Sequence, residues 1–109
     1  MSFVYLASPF SHDDAAVRDA RRVAACKVAA RLMHEGIPVF SPIAHSCAIE
    51  EHFKAPEGFN FWMLQDIPIL VCASKLVVLM LDGWRESRGV TRELEIARQF
   101  CIPTEYLDA

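Results

Sequence analysis

Glycine is scarce in this chain, four residues in 109, and the four are scattered. Neither G-x-x-x-x-G-K-[ST] nor G-x-G-x-x-G can be read, which excludes a P-loop and a dinucleotide-binding turn. Long apolar runs are also missing. No stretch approaches the roughly 20 consecutive apolar residues of a membrane span, and Met1-Ser2-Phe3 leads towards a strand without the basic start and apolar core of a signal peptide. A cytoplasmic protein with no membrane partner is expected. There is no basic excess either: 11 Lys and Arg stand against 14 Asp and Glu, for a net charge of -3. Binding to a phosphate backbone needs clustered positive charge, so no nucleic-acid partner is expected. Cys26, Cys47, Cys72 and Cys101 form no C-x-x-C pair and read as reduced thiols filling apolar space. His12, His34, His45 and His52 show no regular ligand spacing with them, and neither a metal nor a cofactor is expected. Repeats, low-complexity tracts and linkers are absent, which leaves one domain over residues 1–109.

Hydrophobic residues make up 53% of the chain, enough for a core in a small α/β protein. Residues 3–7 have strand composition and Pro9 ends them. Ser11 and Asp14 have capping-box spacing ahead of a long helix over about 13–35, with Val17, Ala20, Ala24, Val28 and Leu32 on its inner stripe and Arg18, Arg21, Arg22 and Arg31 towards solvent. Gly36 suits the position after that helix, and a strand over 37–40 follows. Residues 41–46 read as a loop, with a short helix near 49–54. A further helix over 60–73 should turn Phe61, Leu64, Leu70 and Val71 inward, with Asp66 on a polar flank and Pro68 kinking or dividing it. Leu76 to Leu81 reads as a buried strand broken by Asp82-Gly83. Ser87 suits the N-cap of a helix over about 89–100, and residues 104–107 suit a final edge strand. Strands alternating with helices predict a single-domain α/β fold of Rossmann or flavodoxin type, a parallel sheet of about four strands with helices on both faces.

In such sheets ligands bind outside the strand C-termini. Those ends bring together Ser8, Pro9 and Phe10, then Ser41 to His45, then Asp82 to Ser87 with the helix leading to Glu93. By default Glu93, like Glu95, is an exposed helical acid with i, i+4 contacts. Asp66 and Asp82 raise another reading, because two carboxylates across a cleft can share glycosidic chemistry, one attacking the anomeric carbon and one protonating the leaving group. Ser87, Arg85, Arg88 and Arg92 surround a helix N-terminus that suits a phosphate monoester, with at least two of the arginines expected to be plain surface charges. Phe40, Phe61 and Phe100 read as core, Trp62 as part of the mouth or its flanks, and Trp84 as the aromatic least tied to structure. His45 is a candidate ligand contact or proton carrier.

Taken in order, Val4-Tyr5-Leu6-Ala7-Ser8-Pro9-Phe10, then Asp66, then Ser87-x-Gly89-x-x-x-Glu93-Leu94-x-x-Ala97, the chain resembles the nucleoside 2-deoxyribosyltransferase superfamily. It is also similar to that superfamily's 2'-deoxynucleoside 5'-phosphate N-hydrolase branch and to small bacterial and phage relatives. The resemblance implies an enzyme with Glu93 as nucleophile, Asp66 protonating or orienting the leaving base, and Tyr5 as an aromatic hydroxyl near the sugar. It implies a covalent glycosyl-Glu93 ester resolved by water or by a second base. Ser87 matches a phosphate-contacting serine, which points to a 5'-monophosphate, with Ser8, Pro9, Phe10, His45, Asp82, Trp84, Arg88 and Gly89 around the substrate. It further implies a homodimer or larger homo-oligomer acting on a small-molecule nucleotide or nucleoside. The chain departs from that pattern at Glu95, where glycine is common, and at Ser8-Pro9-Phe10, where many members carry a glycine-containing turn. The alternative is a non-catalytic module that binds or senses a nucleotide or nucleotide-sugar on the same fold.

Overall fold

The computed structural model describes residues 2–56 and 58–109. Four strands, β1 (Val4–Ala7), β2 (Val39–Phe40), β3 (Lys75–Leu79) and β4 (Thr104–Leu107), are joined by α1 (Ala15–His34), α2 (Pro42–Glu50), α3 (Gly58–Leu70) and α4 (Arg88–Gln99). The strands form one parallel sheet in the order β2-β1-β3-β4. This is the α/β fold expected, with flavodoxin-type order. The chain steps from β1 outward to β2 and returns to β3 on the other side of β1, so a crevice opens outside the carboxyl ends of β1 and β3.

Strand alternation sends successive side chains to opposite faces. Tyr5 and Ala7 with Leu76 and Val78 meet Leu70 of α3 and Val90, Ile96 and Ala97 of α4. Leu6, Val77 and Leu79 meet Val28 and Ala29 of α1 on the other face. Helices therefore cover both faces, as the alternation predicts. Gly36, at φ +85, closes α1 in the left-handed region, and the Ile37 amide donates back to Leu32 O at 3.0 Å. Among the described residues no helix is long and apolar enough to cross a membrane.

Several local expectations change. The N-cap of α1 is Asp14, whose side chain accepts from the Ala16 amide at 2.9 Å, and Ser11 lies outside the helix. Of the expected inner stripe of α1, Val28 is buried and Leu32 packs against the core as predicted, while Ala25 and Ala29 join them and Ala20 is exposed. The segment read as a loop at 41–46 is the start of α2, because Ser41 caps it and Pro42 fills a first-turn position where a missing N–H costs nothing. α3 runs through Pro68, which falls in its last turn. Leu70 and Val71 meet the core as expected, but the middle of α3 turns Asp66 inward at 6% exposure and leaves Leu64 72% exposed. None of the four cysteines is buried, and Cys72 and Cys101 are exposed. Phe100, expected in the core, is 52% exposed.

Candidate functional site

A cavity of about 830 Å³ lies at the β1 and β3 mouths, walled by α2, α3 and the first turns of α4. Glu93 sits on the inner stripe of α4, between the buried Val90 and the buried Ile96 and Ala97. It is not the solvated helical acid of the default reading: it lines the cavity at 4% exposure. The Tyr5 hydroxyl donates to Glu93 Oε2 at 2.5 Å. Tyr5 is itself wholly buried at the centre of the sheet, so its ring is fixed by packing and its hydroxyl has one direction to point. Asp66, from α3, lines the same cavity.

Burying a carboxylate penalises its charged form. That burial pushes Asp66 up to about 6. It pushes Glu93 up to about 8, with the charge of Asp66 adding to the rise and the Tyr5 hydrogen bond opposing it. Burial and the charge of Glu93 drive the Tyr5 phenol far upward, so it remains a donor. Between about 6 and about 8 the acid pair therefore holds one proton between its two members.

The rest of the wall combines hydrogen-bonding groups with apolar side chains, and its charged residues are Arg88 and Lys54 against Glu50 and Glu86. Ser87 caps α4, its hydroxyl accepting from the Val90 amide at 3.2 Å. Ser8 lines the cavity, and its buried hydroxyl has no hydrogen-bond partner among the described residues. Arg88 carries its guanidinium over the Phe59 ring at 3.9 Å, both lining the cavity. Its neighbours are surface charges, Arg85 lying over Trp84 and Arg92 near the exposed Glu95. Because Glu95 faces solvent, a long side chain there is accommodated without packing conflict.

The structure thus brings together Ser8, Phe10, Asp66, Ser87, Arg88, Gly89 and Glu93 on one cavity, with Tyr5 behind Glu93. Four expected contacts lie outside the lining. Pro9 is packed away, and His45 is exposed on α2 with its ring against Phe40. Asp82 is exposed, and its carbonyl accepts from Arg21. Trp84 packs on Tyr106 and the α3/α4 core, so the aromatic expected to be freest is structural. Ile43 and Ser46, from the segment expected at the mouth, reach the cavity as part of α2, and residues the pattern did not single out complete the wall, among them Phe59 and Met63 of α3 and Cys47 of α2. The signal for the α2 group was Ser41-Pro42, an N-cap followed by proline.

A family model described as "Domain of unknown function (DUF1937)" matches residues 2–104. The chain belongs to the DUF1937 family. The match spans β1 to the start of β4, so every wall of the cavity in this DUF1937 chain lies within it. No curated protein matches the chain.

Proposed function

We propose that the protein cleaves or transfers the N-glycosidic bond of a nucleoside 5'-monophosphate, or a related (deoxy)nucleotide, through a covalent glycosyl-Glu93 intermediate. The observation that carries this is the buried Tyr5–Glu93 hydrogen bond at the cavity wall with Asp66 on the same cavity. The ordered residue pattern that resembles the nucleoside 2-deoxyribosyltransferase superfamily supports the same reading.

Chemistry of this kind needs an ionised attacking carboxylate and a protonated acid for the leaving base. Between about 6 and about 8 the free protein holds its one shared proton on Glu93, so the combination arises when substrate binding shifts that proton to Asp66. Tyr5, donating to Oε2, favours the ionised form of Glu93 and leaves Oε1 to attack. As the bond from Oε1 to the anomeric carbon forms, the carbon–nitrogen bond breaks, and the departing base takes its proton from Asp66. Water then gives a proton to Asp66 and attacks the same carbon, breaking the ester and restoring the Glu93 carboxylate. A second base in place of water yields transfer. The α4 N-terminus with Ser87, Ser8 and Arg88 supplies donors for the 5'-phosphate.

The test is base release from ribo- and deoxyribonucleoside 5'-monophosphates, followed by chromatography. Glu93→Ala and Glu93→Gln are expected to lose activity by about a thousandfold or more. The wild-type profile should be bell-shaped, falling below about 6 and above about 8. Undiminished release by Glu93→Ala would sink the nucleophile assignment. A second reading, a nucleotide-binding module without turnover, draws on the burial that keeps Glu93 protonated up to about 8 in the free protein. Binding without base release by the wild type selects it.

A further inference from the structure

The β1–α1 loop carries Ser8, Phe10 and Ser11 to the cavity, and the turn before α4 carries Glu86 and Ser87. Among the described residues no backbone hydrogen bond joins these two segments. Arg21, on α1, joins them instead. Its Nη1 donates to Ser11 O at 2.9 Å and reaches Phe10 O at 3.5 Å, while its Nη2 donates to Asp82 O at 2.9 Å. Arg21 is not on the cavity lining, so it meets the loops from behind.

Gly83 is shaped to this contact in two ways. Its φ of +88 is a conformation that side chains rarely adopt, and a Cβ placed there would lie 2.6 Å from Arg21 Nη2. No real Cβ contact is that close, so any larger residue at 83 must displace the guanidinium. Arg18 adds to the same side of the arrangement, donating to His12 O and Asp13 O and fixing the loop to α1.

We propose that Arg21 is a positioning residue whose bridge across the Ser11 and Asp82 carbonyls sets the spacing at which Ser8 and the α4 N-terminus act on one phosphate group. A guanidinium offers several donors in a rigid fork and can hold two carbonyls on different segments at once, whereas a lysine offers a single point charge. This rests on the reading of the cavity as a phosphate-ester site, and it does not depend on turnover.

Inorganic phosphate titrated into the whole chain, followed through the amide resonances of Gly89 and Val90, tests it. Wild type should bind. Arg21→Ala should weaken binding by about tenfold or more, and Arg21→Lys by less. Gly83→Ala should reproduce the loss, and combined with Arg21→Ala it should cost less affinity than the sum of the two, because both changes break the Arg21 contact while alanine at φ +88 adds its own strain to the turn. Amides of residues 10–13 and 83–87 should exchange faster in Arg21→Ala while those of β1 and β3 keep their protection, a pattern that general destabilisation does not produce. If Arg21→Ala fails to fold, Arg21→Lys and Gly83→Ala carry the test. Wild-type affinity in those variants, or no phosphate binding by wild type, overturns the proposal. Phosphate binding that depends on Arg21 in a protein that releases no base upholds it and defeats the catalytic reading alone.

Discussion

The two faces of the sheet are made by alternate residues of the same strands, yet they bury different things. Under α1 the core is Leu6, Val28, Ala29, Val77 and Leu79, all hydrocarbon. Under α3 and α4 the apolar set around Leu70, Leu76, Val78 and Ile96 is accompanied by two buried acids, Asp66 and Glu93, and by a tyrosine hydroxyl bonded to one of them. Hydrocarbon burial stabilises a fold outright, whereas a buried carboxyl costs free energy that one hydrogen bond only partly offsets. The α1 face is therefore accounted for by stability. The α3/α4 face tolerates a stability cost beside its cavity, which is where proteins that break local folding rules tend to place function.

The contrast breaks most visibly at Leu79, wholly buried on the α1 face. Leu79→Ala removes packed methyl groups and is expected to cost about 2–5 kcal/mol in denaturant unfolding. Activity per folded molecule and both pH limbs should stay where they are. Movement of those limbs with Leu79→Ala would show that the two faces are not separable.

Glu93→Gln should do the reverse, raising stability while removing activity. Because burial lifts Glu93 from 4.5 to about 8, the folded chain keeps a proton that the unfolded chain releases across that interval. Stability linked to this group is fully present below about pH 4.5 and is lost as pH rises towards about 8. Gln has nothing to titrate and can still accept from Tyr5. The variant should match wild type at pH 4.5 and exceed it at pH 8.5 by a few kcal/mol, read from urea midpoints at each pH. Equal stability at both pH values would mean that Glu93 is charged at no such cost.

How far each face was legible before folding follows the same division. The spacing predicted β4 and the Ser87 cap of α4, because a strand bounded by Pro103 and a serine before a helical run are local signals. It also singled out Glu93, though not its burial. α3 defeated the pattern because it is apolar nearly all round: Phe59, Phe61, Trp62, Met63, Leu64, Ile67, Ile69 and Leu70 leave no polar face to fix its rotation. Leu64 could then be expected inside and Asp66 outside, the opposite of what the cavity requires. On α1 the pattern places Val28 and Leu32 inward as observed but takes Ala20 in place of Ala25 and Ala29, because alanines pack acceptably in several orientations. Arg21 read as a solvent arginine because its acceptors are backbone carbonyls, invisible until two segments 61 positions apart from each other in its Asp82 contact are brought together.

The smallest expected effect sharpens the contrast most, because it separates folding from binding within one helix turn. Gly89 sits two residues after the Ser87 cap, and a Cβ there would meet Met63 Cε and Ser87 Oγ at 3.9 Å, ordinary contact distances. Nothing in the packing demands glycine. Alanine is the better helix former, so Gly89→Ala should stabilise the fold by about 0.5–1 kcal/mol, seen as a higher urea midpoint with an unchanged slope. The added methyl projects beside Ser87, in the space the proposed phosphate would need in order to reach the first amides of α4. Phosphate affinity should fall by about tenfold as stability rises. A stabilised variant that binds phosphate as wild type does would place the anion elsewhere on the cavity and leave Gly89 without a role at the site.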